Sequence, residues 1–331
     1  MLYCTLQMKH FLRILLMIGL SALLLSAGSS GQVTGLFPDL YFLDHYNNWV
    51  LKEYGRPYGA ATEKEEQERL LIRKGPFFLN TDIIAYYGHP LSRNMGILGR
   101  YEIDELYNHL NTLAAEYDKV NGQRGIQKAF YIIYGTVQPE GEINYIPNQI
   151  LQKYIRFALD HNMLIFIDHQ IGRYDPIDSL RMMLPYLHYP NVHLALDPEW
   201  RTDKPMKEIG SVTAAEINRA QEIMSAYLEK NRLPGERMLV IHEFHYGMIQ
   251  NRMNVRTGNR KVILVHCADG FGSPEQKRST YEFLAQAKNM PVKGFKLFYN
   301  LNIPGAGYDE PLLTPKEVND LDPRPCLIMY Q

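Results

Sequence analysis

Asp197 and Glu199 stand two residues apart in the run Ala195–Trp200, ALDPEW, at the end of an apolar stretch and beside an indole. That pattern suits acid/base work on a sugar. Desolvation can hold one carboxyl protonated while a neighbour stays ionised, and Trp200 can stack on a sugar ring. The plainer alternative is a strand-end turn in which Asp197 caps backbone amides and Glu199 is solvated. A second run, Ile241–Gly247 (IHEFHYG), offers Glu243 as a partner carboxylate, with His242 and His245 to orient substrate or protons. Its alternative is a set of buried, satisfied imidazoles.

Asp168, His169, His242, His245, His266 and Asp269 are also ligand types that Zn²⁺ or Mn²⁺ would accept. The HEFHYG spacing is not the helical H-E-x-x-H, however, and the first apolar run lacks a His-x-His pair. Neither a metal nor a cofactor is therefore assigned. His266–Lys277, HCADGFGSPEQK, places glycines before a helix start, as anion sites do, although the glycines serve a turn equally well. There is no Gly-x-Ser-x-Gly elbow and no setting for a nucleophilic cysteine.

These residues need a frame, and eight short apolar runs supply it: Asp82–Tyr87, Ala129–Tyr134, Met163–Ile167, Val192–Leu196, Met238–Ile241, Val262–Val265, Gly294–Tyr299 and Cys326–Tyr330. Most are continuous and rich in Ile, Leu, Val, Phe and Tyr, as strands buried on both faces are. Helical patterns alternate with them at Ile103–Val120, Gln149–Asp160, Ile177–Leu187, Ala214–Lys230 and Pro274–Asn289, and a short last helix opens at Thr314–Glu317. Thr213 with Glu216 is spaced as a capping box, and Ser273-Pro274 places a cap before an N1 proline. Strand alternating with helix over about 250 residues predicts a (β/α)₈ TIM barrel in residues 76–331. A full helix is hard to place in Gly247–Lys261. The eighth helix is expected to be missing or replaced by the N-terminal segment. A doubly wound sheet fits less well, because no glycine-rich phosphate loop follows the first strand.

Residues 1–31 read as a secretory signal: Lys9, His10 and Arg13, then the apolar Ile14–Leu25, then small residues from Ser26 to Ser30. The apolar run is too short for a span of about 20 residues. A lipid anchor is not supported, because Ser29 stands where a lipoprotein box requires Cys. The expected address is secreted, periplasmic or cell-envelope, with the export machinery as a transient partner. Residues 32–75, with the charged helix candidate Thr62–Ile72, form an N-terminal extension. Across all 331 residues, 35 basic and 36 acidic side chains leave no footprint for nucleic acid, and three cysteines cannot build a disulfide framework. Oligomeric state is not legible.

In a barrel of this kind the chemistry sits at the C-terminal strand ends. That edge carries Tyr87 and His89, Tyr134, Asp168 with His169, Asp197 to Trp200, His242 to His245, His266 with Asp269, and Tyr299 with Asn300. The DPEW carboxylates leaving strand four, the strand count and the export signal together resemble secreted (β/α)₈ hydrolases of the glycoside-hydrolase type. The resemblance implies that Glu199 is the acid/base, with Asp197 its neighbour, in an exported hydrolase of a glycan or cell-envelope polysaccharide. Strand seven departs from the pattern, offering Phe298, Tyr299 and Asn300 where many retaining barrels place a nucleophilic Glu. The second carboxylate then falls to Glu243, Asp168 or Asp269, or the substrate assists. The other classes are a metal-dependent hydrolase of phosphoester or amide bonds and a carbohydrate-binding barrel without catalysis.

Overall fold

The computed structural model describes residues 81–331. The signal, the N-terminal extension and any replacement of the eighth helix by that segment lie outside them. Eight parallel strands close into a barrel: β1 (Thr81–Gly88), β2 (Gly125–Val137), β3 (Leu164–Gln170), β4 (Val192–Asp197), β5 (Arg237–Glu243), β6 (Val262–Ala268), β7 (Lys293–Leu297) and β8 (Leu327–Tyr330). Each pairs with the next in the chain, and β8 returns to β1 with Ile83 opposite Leu327. The helices between them are α1 (Ile103–Asp118), α2 (Asn148–Asp160), α3 (Pro176–Met183), α4 (Ala214–Lys230), α5 (Pro274–Ala285) and α6 (Pro315–Asn319). The chain is a (β/α)₈ TIM barrel.

Period-two alternation sorts every strand residue onto one of two sides. Ile83, Ala85 and Tyr87, Tyr131 and Ile133, Phe166, Ala195, Val240, Val265, Cys267 and Met329 fill the barrel interior, a cluster that contains no helix residue. The intervening residues, such as Ile84, Phe130, Ile165, Leu194, Ile241 and Leu264, face the helix layer. Each helix returns an apolar stripe to that layer. In α2 the stripe is Leu151, Tyr154, Ile155, Ala158 and Leu159, the spacing of one helical face. The predicted capping box forms at Thr213/Glu216, and Ser273, predicted as a cap before Pro274, closes a second box with Gln276. At the N-terminal rim, Arg124 and Arg324 clamp the fully buried Asp82 carboxylate at 2.7 and 2.5 Å and tie the β8–β1–β2 seam.

Several boundaries differ from expectation, strand two among them, which runs Gly125–Val137 rather than Ala129–Tyr134. The pattern Ile177–Leu187 is helical only to Met183, and a 3₁₀ turn, Leu184–His188, follows because Pro185 has no N–H to continue the ladder. Helix α5 stops at Ala285 rather than at Asn289. Strand seven ends at Leu297, which releases Phe298 and Tyr299 into the following loop. The segment without a placeable helix, Gly247–Lys261, holds a two-residue strand, Ile249–Gln250, paired with Val212–Thr213, and a 3₁₀ turn. Cys267 and Cys326 are buried free thiols.

Candidate active site

Alternation carries Tyr87, Tyr131, Asp168, Gln170, Asp197, His242 and Lys296 into the barrel interior near its C-terminal end. Asp269 joins them from just past β6. After Asp197 the chain turns through a 3₁₀ segment, Pro198–Trp200, which sets Glu199 and Trp200 on the rim. An open cleft there is lined by Tyr87, Gln170, Asp197, Glu199, Trp200, Asp269, Lys296 and Tyr299, with Phe244 and Phe271 among its apolar walls.

One network links the polar groups. Tyr87 donates its hydroxyl hydrogen to Asp168 Oδ2 at 3.0 Å. His242 Nε2 lies 2.7 Å from the Tyr131 hydroxyl, and its Nδ1 lies 3.0 Å from Asp269 Oδ2. The Lys296 ammonium reaches both Asp269 oxygens, at 3.0 and 3.2 Å, and sits 3.8 Å from the centre of the Tyr87 ring. Buried charges persist only when paired in this way.

The environments push the carboxyls apart. Burial, followed by the charge of Asp269, lifts Glu199 from the ordinary 4.5 to about 8. Burial also raises Asp197 well above the carboxylate range, with the charges of Glu199, Asp168 and Asp269 adding to it. Asp168 is raised by burial as well. Asp269 goes the other way. Burial would raise it, but Lys296 and His242 outweigh burial and hold it below its ordinary value. Burial pulls Lys296 down, and the surrounding carboxylates more than reverse this. Asp197 Oδ1 is buried and accepts no hydrogen bond from the protein.

The strand pleat separates the remaining sequence candidates. Glu243, expected beside the DPEW pair, follows the inward His242 and so points to the helix layer. There its Oε2 lies 2.6 Å from His266 Nε2 and 3.3 Å from Arg252. Lys293 donates to His266 Nδ1 at 3.1 Å and to the carbonyls of Leu284 and Ala287, so Glu243 and His266 belong to a buried chain that holds the end of α5. His169 and Tyr134 also face outward and cluster with Tyr145. His89 accepts the Leu91 amide and shapes the loop after β1, and burial drops its pKa to about 4. His245 accepts the Gly247 amide and packs against Tyr246 in the loop after β5. Tyr299 and Asn300 do line the cleft. The six metal-ligand types are accordingly divided: Asp168, His242 and Asp269 gather inside, His169 and His266 lie behind the sheet, and His245 is on a loop. Among the described residues, no three His, Cys, Asp or Glu side chains are grouped as ligands.

Sequence reasoning missed Lys296 and Tyr131, whereas Gln170, read at the end of strand three with Asp168 and His169, does line the cleft. The signal for Lys296 was present: a cation inside the otherwise apolar run Gly294–Tyr299, two residues past the inward Gly294, belongs in the barrel and needs an anion there.

No family model matches the chain, and no curated protein matches it. Among solved structures it is similar to a chitinase from Chromobacterium violaceum, with 10% identity and a TM-score of 0.37 over 65% of this chain and 68% of that one. It is also similar to a GH18 chitinase from the chitin utilization locus of Flavobacterium johnsoniae, with 11% identity and a TM-score of 0.42 over 76% of this chain and 87% of that one.

Proposed function

We propose that this barrel hydrolyses a glycosidic bond, with Glu199 as general acid and Asp269 as the ionised carboxylate. The observation that carries this reading is the split between them. Of the three carboxyls that line the cleft, Glu199 is raised to about 8 and Asp197 is raised as well, while Asp269 is held below its ordinary value. Such a split supports Glu199 as the proton donor and Asp269 as the anion. Protonated Glu199 delivers its proton to the leaving oxygen beside Trp200. Asp269, fixed by Lys296 and His242, faces the positive charge that develops on the sugar ring or orients the attacking water. Asp197, whose carboxyl burial pushes toward the neutral form, has an unused oxygen with which to hold a substrate hydroxyl or amide. Strand seven supplies a lysine rather than a nucleophilic carboxylate, so its part is electrostatic.

Export to the cell envelope, and a cell-envelope polysaccharide as substrate, belong to the same proposal. Its test is release of reducing ends from a panel of polysaccharides by wild type and by Glu199→Gln. Binding without turnover by the wild type would instead mark a carbohydrate-binding barrel.

A further inference from the structure

Lys277 takes no part in the proposed chemistry, yet its ammonium is buried near the start of α5, with the residue 2% exposed. A cation there opposes the helix dipole, which favours negative charge at the N-terminal end. Breaches of local preference of this kind mark positions held by another demand.

All three N–H groups of the ammonium have a partner. Lys277 donates to the carbonyl of Gly270 and to that of Lys296, and it pairs with Asp309 Oδ2 at 3.4 Å. Gly270 directly follows Asp269, and Lys296 is the other half of the ion pair that keeps Asp269 charged. Asp309 closes a loop. Its Oδ2 accepts the Phe298 amide at 2.9 Å, its own amide donates to the Phe298 carbonyl at 2.9 Å, and its Oδ1 accepts the Gly272 amide at 3.0 Å. The ten residues between, 299–308, are therefore tied at the neck, and Tyr299, Asn300, Leu301, Ile303 and Tyr308 form one wall of the cleft. The Phe271 ring fills the space that any side chain at Gly307 would need.

We infer that Lys277 is a positioning residue: one buried ammonium fixes both the Asp269–Lys296 pair and the neck of the 299–308 wall. Substrate contact along that wall and the geometry of the ionised carboxylate are thereby set together. The kinetic part of this inference rests on the proposed hydrolysis; the holding of the loop does not.

Lys277→Met keeps the apolar stem and removes the ammonium. Its kcat/KM should fall about 10–100-fold, with kcat and KM both changed, as misplacement of catalytic groups and loss of loop control require. Under native conditions chymotrypsin should cut after Leu301 or Tyr308 at least about tenfold faster than in wild type. Asp309→Asn weakens the same neck from the other side and should show the same cleavage if Lys277→Met does not fold. Unchanged chymotrypsin resistance in both variants would overturn the inference, as would a drop in thermal stability with kcat and KM unmoved. If the wild type turns over no glycan, the hydrolytic proposal fails, and the cleavage result alone then upholds or overturns the hold on the loop.

Discussion

Glu199→Gln preserves shape and hydrogen-bonding capacity while removing the transferable proton. With its pKa raised to about 8, Glu199 is about 90% protonated at pH 7; at the ordinary 4.5 it would be only about 0.3% protonated. The site thus raises the acid form about 300-fold. General acid catalysis contributes about 10²–10⁴-fold, or roughly 3–5 kcal/mol of barrier, and the variant should lose turnover by that factor. In wild type the protonated form is active, so rate should fall as pH rises through about 8, and the variant should lack that limb. Stability gives a second readout of opposite sign. A carboxyl whose folded pKa is raised binds more protons in the native state, so wild type loses stability as pH climbs from about 4.5 to about 8. Glu199→Gln should therefore match wild type in melting temperature at pH 4 and exceed it at pH 9. Rates measured from pH 4 to 10, with calorimetry across the same range, check both. Full activity in the variant, or a melting temperature below that of wild type at pH 9, would refute the assignment and leave Glu199 a solvated turn residue.

Lys296→Met strands the buried Asp269 charge and should cost about 3–5 kcal/mol in chemical denaturation. Because Lys296 lowers the Glu199 pKa, any residual activity in that variant should show its alkaline limb at higher pH. Glu243→Gln should leave kcat/KM within about threefold of wild type and destabilise the fold by about 1–3 kcal/mol, since its bonds to His266 and Arg252 lie behind the sheet. Activity should survive exhaustive chelation; loss restored by Zn²⁺ or Mn²⁺ would favour a metal-dependent hydrolase. N-terminal sequencing of exported protein should find a start between Gly28 and Val33, and a stable uncleaved cytoplasmic product would contradict the proposed export.

The barrel was legible because its strands are buried on both faces and its helices carry caps that can be read letter by letter. Apolar runs such as Val192–Leu196 coincide with strands almost to the residue. The strand ends were equally readable, and Asp197, Glu199, Trp200, Asp269, Tyr87 and Tyr299 share one cleft. Which side of the sheet a strand-end residue takes was harder to see. His242 and Glu243 are adjacent letters, and the pleat sends one into the barrel and the other to α5. Treating the end of each strand as a single cluster merged two networks that the sheet keeps apart. Lys296 escaped notice for a related reason: its partner Asp269 lies 27 residues away, and the pairing exists only once β6 and β7 are neighbours.

The most direct test is to incubate purified wild-type protein with a panel of cell-envelope and storage polysaccharides at pH 6 and to measure new reducing ends. Steady release from at least one polymer, cut about 10²–10⁴-fold in Glu199→Gln and lost above about pH 8, is the predicted result. A folded wild type that releases no reducing ends from any glycan, or equal release by the variant, would contradict the acid/base role of this cleft.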